Sequence, residues 1–271
     1  MTAQADSRTD LYGASYKNFA TDLYGEIRSE AFGEDIGQTG WITAEEQDLF
    51  IDWLRLSASD RLLDIACGSG QPTLRIARKS GCQATGIDLH AEGIAAARAN
   101  AAASGQQVTA EFMQADAAVR LPFEDSSFDA ITCIDAINHL ADRRRVLAEW
   151  HRVLKPGGRL LFSDPIVLTG PITNSEIAIR ASIGLFVFVP KGVNEALLEE
   201  AGFLIERVDD RTENMARNAG GWLAARAKRE KELRAIEGEA TFEGQQRFLQ
   251  TAAKLATERR LSRLAIVARR R

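Results

Sequence analysis

The chain has 271 residues, of which 45% are hydrophobic, and a formal net charge of −4 at pH 7. This length allows one large core with a small appended cap. The acidic balance argues against a nucleic-acid partner, because binding to the phosphate backbone usually needs a basic face. Cys67, Cys82 and Cys133 show no paired or metal-ligating spacing, so the sequence predicts reduced thiols and no metal site.

The first ten residues are polar and lack the apolar stretch of a signal peptide. No run approaches the roughly 20 apolar residues that a membrane span requires. We therefore expect a soluble, cytoplasmic protein with no membrane span.

Residues Leu11 to Phe32 carry apolar and aromatic side chains at near-helical spacing, which predicts an amphipathic helix pair or one broken helix. These aromatics either pack on the domain or form a lid over a ligand site, with Tyr16 or Tyr24 pointing its hydroxyl inward. We expect residues 1–45 to form this lid and a glycine-rich connecting loop, and 46–271 to form the core. Thr43 and Glu46 have the spacing of a capping box for a helix from Ala44 to Leu56.

The segment Arg61 to Pro72 predicts a strand, a tight glycine loop and a helix. Gly68 and Gly70 allow the backbone to turn sharply and to approach a ligand closely. A dinucleotide fingerprint needs a third glycine where this chain has Thr73, so a pyrophosphate is not favoured.

Three acids follow three successive predicted strands. Asp64 ends the first, Asp88 ends the second at Gln83 to Asp88, and Asp116 follows the third at Val108 to Gln114. A carboxylate at the second position can accept both ribose hydroxyls. A ribose without a pyrophosphate indicates S-adenosylmethionine as the ligand.

Strands and helices then continue to alternate through strand Asp129 to Ile134, helix Arg143 to Leu154 and strand Arg159 to Ser163. Such alternation predicts an α/β fold with a doubly wound parallel sheet and ligands at the carboxyl ends of its strands.

With these segments in place, residues Leu62 to Asp164 resemble the class I S-adenosylmethionine-dependent methyltransferases. The match rests on Asp64 to Gly70, Asp88, Asp116-Ala117, Phe128 to Ile131 and Leu154 to Gly158. Phe32 to Asp35 and Asp135 to His139 are similar to phosphoethanolamine methyltransferases, and a broader similarity extends to sarcosine/dimethylglycine and tocopherol methyltransferases of small-molecule type.

The resemblance implies a Rossmann-like seven-stranded sheet with a helical cap, S-adenosylmethionine as methyl donor and S-adenosylhomocysteine as product. The implied cofactor-binding residues are Gln38, Thr39, Asp64, Ala66, Cys67, Gly68, Gly70, Asp88, Leu89, Asp116, Ala117 and Ile134.

After Asp164 the alternation breaks, and we expect cap insertions at about 165–192 and 212–260. The run from Leu185 to Val189 either recognises a substrate or forms a short core strand. Trp222 to Arg260 predicts two amphipathic helices separated near Gly238 and Gly244, and Ser262 to Ala268 a last strand, antiparallel by the resemblance.

Methyl transfer from a sulfonium is an in-line displacement that needs a base only when the nucleophile carries a proton. His139, after the fourth strand, is the candidate base, with Asp135 orienting it or attracting a cationic substrate. The alternative is that Asp135 caps the next helix and His139 faces solvent. Tyr16 and Tyr24 are further candidate catalytic residues.

Phosphobase methyltransferases hold phosphate with tyrosines and an arginine ahead of the sixth strand, whereas this chain has Ser182 to Phe188 there, with only Arg180 nearby. We therefore expect a largely apolar or aromatic small molecule, methylated on oxygen or nitrogen, in a pocket lined by Arg180, Phe186 and Phe188. The alternatives are C-methylation of a quinone or prenyl-type molecule, and a non-catalytic S-adenosylmethionine-binding regulatory subunit. A homodimer is left open.

Overall fold

A computed structural model describes residues 18–19, 21–105 and 108–271 of the chain. Its first half alternates helices and strands in the order α1 (Asp22–Phe32), α2 (Ala44–Leu54), β1 (Arg61–Ile65), α3 (Gln71–Ser80), β2 (Gln83–Asp88), α4 (Ala91–Ala103), β3 (Ala110–Gln114), β4 (Phe128–Ile134), α5 (Arg143–Val153) and β5 (Leu154–Leu168). The second half comprises α6 (Asn174–Arg180), β6 (Val189–Pro190), α7 (Val193–Glu200), β7 (Phe203–Asp210), α8 (Thr212–Lys228), α9 (Glu230–Glu237), α10 (Glu239–Thr257) and β8 (Leu261–Arg270). Tyr16 lies outside the described residues.

The described strands form one sheet in the order β3-β2-β1-β4-β5-β8-β7, with the short β6 paired to β5. All pairs are parallel except those of β8, which runs antiparallel to both β5 and β7. The predicted doubly wound fold and its antiparallel last strand are confirmed.

Both faces of the sheet are buried, as expected when helices cover a parallel sheet. Leu63 packs with Trp150 and Phe162 on one face of the sheet. Its neighbour in β1, Leu62, packs with Phe50 on the other face. The strand order reverses between β1 and β4, so the chain leaves these neighbouring strands in opposite directions. This arrangement creates a crevice at their carboxyl ends, where ligands of this architecture bind.

The helices after β7 differ from the prediction of two segments. The structure has three, with breaks at Arg229 and Gly238, whereas Gly244 lies inside α10. A mid-helix glycine costs about 1 kcal/mol, and the apolar face of α10, including Phe248 and Leu249, offsets that cost by packing against α8. The helices α1, α8, α9 and α10 together form what we call the helical cap.

The predicted fifth strand, Arg159 to Ser163, is too short, because β5 runs from Leu154 to Leu168. Its extension pairs on both sides: Val167 and Leu168 face Ser262 and Leu261 of β8, and Val189 and Pro190 of β6. Of the run Leu185 to Val189, only Val189 belongs to a strand.

The predicted capping box is half right. The Thr43 hydroxyl accepts a hydrogen bond from the Glu46 amide at 3.2 Å. The Glu46 side chain does not reach back to Thr43, because both of its oxygens lie 2.7 Å from Nη1 of Arg263 in β8.

No helix in the described parts of the chain combines the length and apolar character needed to cross a bilayer.

Candidate active site

Two adjoining cavities lie at the carboxyl ends of β1 and β4. The smaller, here called the cofactor cleft, is lined by Gly37, Gln38, Thr39, Gly40, Ile42, Gln47, Asp64, Ala66, Cys67, Ser69, Pro72, Ile76 and Ile134. The larger, here called the acceptor cavity, has a volume of about 240 Å³ and extends under the helical cap. Thr39 and Gly40 line both, so a group bound in the cleft is next to one bound in the cavity.

The glycine loop after β1 has the backbone that the sequence predicts. Gly68 and Gly70 both have positive φ, at 55° and 74°, and the Gly68 amide donates to Asp88 Oδ2 at 2.9 Å. A Cβ on Gly70 would come within 2.7 Å of Phe112 and Ala97, so only glycine fits there. Ala66 also has a positive φ, 58°, a strained conformation of the kind that clusters at functional sites.

Two of the three acids keep lone pairs available to a ligand. Asp88 accepts hydrogen bonds from the backbone amides of Gly68 and His90, one on each oxygen. Beside it, the Leu89 side chain is 55% exposed. Asp116 is exposed and accepts from the Ala118 amide at 2.8 Å. Each carboxylate oxygen can take a further hydrogen bond, which suits ribose hydroxyls at Asp88 and an adenine amino group near Asp116-Ala117.

Asp64 is different, because its carboxylate is buried against two threonines. The hydroxyls of Thr73 and Thr132 donate to its two oxygens. Burial raises the pKa of Asp64 to about 6. The threonine hydrogen bonds lower this pKa and the neighbouring Asp88 raises it, but both effects are smaller than that of burial. It lines the cofactor cleft, where a positively charged ligand would favour its ionised form.

The loop from Ile36 to Trp41 covers the cofactor cleft. Gln38 is almost fully buried and ties the loop to itself: its Oε1 accepts from the Ile36 amide and its Nε2 donates to the Glu34 carbonyl. Its side chain therefore shapes the loop, while Thr39 faces both cavities. Cys67 and Ile134 complete the wall, and burial raises the pKa of the Cys67 thiol.

The donor set of the cleft fits S-adenosylmethionine better than a phosphate ligand. Among the described residues, no Lys or Arg lines the cofactor cleft, whereas a carboxylate and backbone groups do. A cationic methionine end is compatible with this lining, and a pyrophosphate is not.

His139 lies in the acceptor cavity, at the end of a one-turn 3₁₀ helix, Ile137–His139. Its Nδ1 is 2.8 Å from the Leu185 carbonyl, which can only accept, so this nitrogen carries the proton of the neutral ring. Nε2 then has the lone pair and lies 3.2 Å from Asn138 Nδ2. Burial lowers the pKa of His139, and Arg180 and His90 lower it further, while the Leu185 carbonyl and Asp164 act in the opposite direction.

The prediction that Asp135 orients His139 is wrong. Asp135 Oδ1 accepts from Arg263 Nε at 2.6 Å and from Ser163 Oγ at 2.7 Å, and Oδ2 accepts from the Trp41 amide at 2.7 Å. The hydrogen bonds of this carboxylate therefore go to β5, β8 and the loop before α2.

Aromatic rings form the walls of the acceptor cavity. Phe186 meets the His139 ring edge-to-face at 4.8 Å between centroids, and Phe248 stacks on Trp41 at 6.4 Å. The Arg180 guanidinium lies 4.2 Å from the centroid of Phe248 and also lines the cavity. Arg180 and Phe186 thus line the cavity, and their contact with an acceptor stays a prediction.

Phe188 does not line the acceptor cavity. It packs against the buried cluster of Ile166, Leu255 and Leu261, although its ring is 6.4 Å from that of Phe186. Between the two, the Val187 amide donates to the Asn138 carbonyl and the Val187 carbonyl accepts from Arg143.

Tyr24 lines the acceptor cavity, yet its hydroxyl donates to Glu237 rather than standing free. Glu237 in turn forms a two-pronged ion pair with Arg226, at 2.9 and 2.6 Å. Burial and the Glu237 carboxylate raise the pKa of Tyr24 well above its usual value, so it is a poor base.

Several lining residues were missed in the sequence. Asn138, Trp222, Arg226, Glu237, Gln245 and Phe248 line the acceptor cavity without having been predicted. Thr241, Gln245, Phe248 and Leu249 follow helical spacing on α10, which is the signal that would have found that wall.

Comparisons with known proteins identify the family. Residues 63–162 match the model of a methyltransferase domain. The 27-O-demethylrifamycin SV methyltransferase of Amycolatopsis mediterranei is 31% identical over 201 residues, covering 70% of this chain and 74% of that protein. The O-methyltransferase resE of Aspergillus sclerotiorum is 33% identical over 222 residues, covering 80% and 78%.

A solved structure shows the same fold. The phosphoethanolamine N-methyltransferase 2 of Haemonchus contortus, in complex with phosphomonomethylethanolamine and S-adenosylhomocysteine, has a TM-score of 0.79 over 95% of this chain and 59% of that chain, at 18% identity. With the strand order, the glycine loop and the cofactor cleft described above, these matches establish that the chain belongs to the class I S-adenosylmethionine-dependent methyltransferases and uses S-adenosylmethionine as its methyl donor.

Proposed function

We propose that this enzyme methylates an oxygen or nitrogen atom of a small, largely apolar or aromatic molecule. The observation that carries the proposal is His139, a partly buried imidazole with its lone pair on Nε2, in an aromatic cavity that adjoins the cofactor cleft. A base is useful only if the nucleophile loses a proton, which a hydroxyl or ammonium group does and a thioether does not.

The chain's own residues supply position and proton transfer. S-adenosylmethionine provides the methyl group that the nucleophile attacks. Thr39 and Gly40, at the boundary between the two cavities, set where the nucleophile meets it, and an in-line approach at about 3 Å accounts for much of the rate. When the acceptor attacks, the new bond from its oxygen or nitrogen to the methyl carbon would form as the bond from that carbon to sulfur breaks, and S-adenosylhomocysteine would leave. His139 Nε2 takes the proton of the attacking group in place of its contact with Asn138.

The cavity walls support an apolar acceptor. Trp41, Phe186, Trp222 and Phe248 provide apolar area, and the positive charge of Arg226 is already neutralised by Glu237. A phosphorylated acceptor could use Arg226 only by displacing that ion pair. The printed name of the rifamycin relative specifies a methylated oxygen, which supports the same choice of atom.

A screen of acceptors tests the proposal. Purified enzyme and S-adenosylmethionine are incubated with phenols, alcohols, aromatic amines and a prenylated quinone, and S-adenosylhomocysteine release is measured. We expect turnover with a phenol, an alcohol or an amine. Turnover confined to the quinone, with a C-methylated product, would favour the C-methylation alternative, and cofactor binding without turnover on any acceptor would favour a regulatory subunit.

A further inference from the structure

Asn138 contacts the candidate base, His139, and also lines the acceptor cavity. It is the middle residue of the turn Ile137–His139, it is only 1% exposed, and it lines the acceptor cavity. Its carbonyl accepts the Val187 amide at 2.8 Å, which holds the turn against the segment that carries Phe186. The side chain is therefore fixed in place.

The hydrogen bonds of His139 determine which way the Asn138 amide faces. Because the Leu185 carbonyl takes the proton on Nδ1, Nε2 is an acceptor and its neighbour at 3.2 Å must be the amide nitrogen of Asn138. This leaves Oδ1 on the other side of the amide. Oδ1 is buried and has no hydrogen-bond partner within the described part of the chain.

A buried carbonyl oxygen without a partner is unfavourable, and native structures keep few of them. Those that are kept at the wall of a cavity are most simply explained by a ligand that supplies the missing donor. The cavity here is the one that faces the transferred methyl group.

We propose that Asn138 Oδ1 accepts a hydrogen bond from an O–H or N–H group of the acceptor molecule. The inference rests on the proposed function only in taking the occupant of the cavity to be the methyl acceptor. It adds a selection rule: the cavity prefers molecules that carry a hydrogen-bond donor near the reacting atom over analogues that lack it.

The size of this preference follows from the unpaired oxygen. A site built to bond a substrate hydroxyl rejects the analogue without it, because the buried partner is then left unsatisfied. For one neutral hydrogen bond we expect the hydroxylated ligand to bind about 10- to 100-fold more tightly.

The test compares 6,7-dihydroxycoumarin with 7-hydroxycoumarin, an aromatic pair that differs by one hydroxyl. Each has one hydroxyl for His139 Nε2, and only the first has a second donor beside it. Binding to the enzyme saturated with S-adenosylhomocysteine is measured by titration, so no turnover occurs. Wild type should prefer 6,7-dihydroxycoumarin by about 10- to 100-fold. Asn138→Leu should lose this preference while its affinity for 7-hydroxycoumarin stays within about threefold of wild type, since the shape of the side chain is kept.

Two further variants separate this role from a structural one. Asn138→Asp keeps an acceptor oxygen and should keep the preference, while its charge beside Nε2 moves the titration of His139 to higher pH. Asn218→Leu removes another buried amide, one that donates to the Trp41 carbonyl and does not line the cavity, and should bind both probes as wild type does.

The inference is overturned if wild type shows no preference, if it binds neither probe, or if Asn138→Leu retains the preference. Melting temperature and affinity for S-adenosylhomocysteine are measured for every variant, so that loss of folding is recognised. Failure of the proposed function would show differently, as absence of turnover on every acceptor even though the binding preference is intact.

Discussion

The imidazole of His139 is held by its Nδ1 hydrogen bond to Leu185 and by edge contact with Phe186. We predict that His139→Ala lowers kcat by about 10²- to 10⁴-fold, the usual contribution of a positioned base. Affinity for S-adenosylmethionine, measured by calorimetry, should change little because His139 lines the acceptor cavity and not the cofactor cleft.

The proposed role of His139 as a base fixes the direction in which kcat/KM of the wild type changes with pH. A base works in its neutral form, and burial lowers the pKa of His139, so kcat/KM should rise with pH along a limb whose midpoint lies below 6.5 and be flat at pH 7 and above. An ascending limb centred above pH 7, or one that persists in His139→Ala, would assign the titration to another group.

Asp64 gives a prediction for cofactor binding. Its pKa of about 6 means that part of the free enzyme is protonated there below neutrality, and a cationic ligand favours the ionised form. Affinity for S-adenosylmethionine should therefore rise about fivefold between pH 5 and 7 if binding lowers this pKa by one unit. Calorimetry across that range checks it.

Two controls identify the source of that effect. In Asp64→Asn the rise between pH 5 and 7 should disappear. S-adenosylhomocysteine, which lacks the sulfonium charge, should show a smaller rise in the wild type. A rise that persists in the Asn variant would exclude Asp64 as its cause.

At the residue scale, the positions of the candidate site residues were easier to predict from the sequence than their hydrogen-bond partners. The three acids, the glycines and His139 could be placed because strand ends of a parallel sheet share one edge. The partner of Asp135 could not be, because Arg263 is 128 positions away and the i−4 spacing to His139 suggested a local pair. Local spacing says nothing about a contact that the sheet creates between β4 and β8.

Phe186 and Phe188 form a matched pair within one segment. Both pack against Ile166, Leu255 and Leu261, but only Phe186 also lines the acceptor cavity. We predict that Phe186→Ala raises KM for the acceptor by about tenfold, since about 1.4 kcal/mol of ring contact is lost, and leaves cofactor affinity intact. Phe188→Ala should instead destabilise the fold by about 2–3 kcal/mol with KM near wild type.

Steady-state kinetics and urea unfolding of both variants decide between these effects. The same pattern in both variants would mean that the segment acts as one unit and that the division between cavity and core is wrong.

At the element scale, regular alternation was predictable and the cap was not. Period-2 and period-3.6 patterns with glycine and proline boundaries identify βα units from the sequence alone. The limits of α8, α9 and α10 depend on packing between helices, which overrides a single glycine such as Gly244. The extension of β5 past Pro165 likewise depends on its pairing with two other strands.

Across the whole molecule, Arg263 connects three distant parts of the chain. It extends from β8, bonds Asp135 after β4 and Glu46 in α2, and is completely buried. Burial by itself lowers the pKa of Arg263, but the two carboxylates more than reverse this and raise it, so the side chain remains charged. The site edge of the sheet is thus held by an ion network rather than by apolar packing alone.

We predict that Arg263→Met lowers the free energy of unfolding by about 3–5 kcal/mol at pH 7.5, because removing one member of a buried network leaves Asp135 and Glu46 uncompensated. Arg269→Met is the control: Arg269 lies on the same strand, 39% exposed, and pairs with Glu206, so its loss should cost about 1 kcal/mol or less. Urea unfolding followed by tryptophan fluorescence measures wild type and both variants. An Arg263→Met cost equal to that of the control would show that the network does not hold the site together.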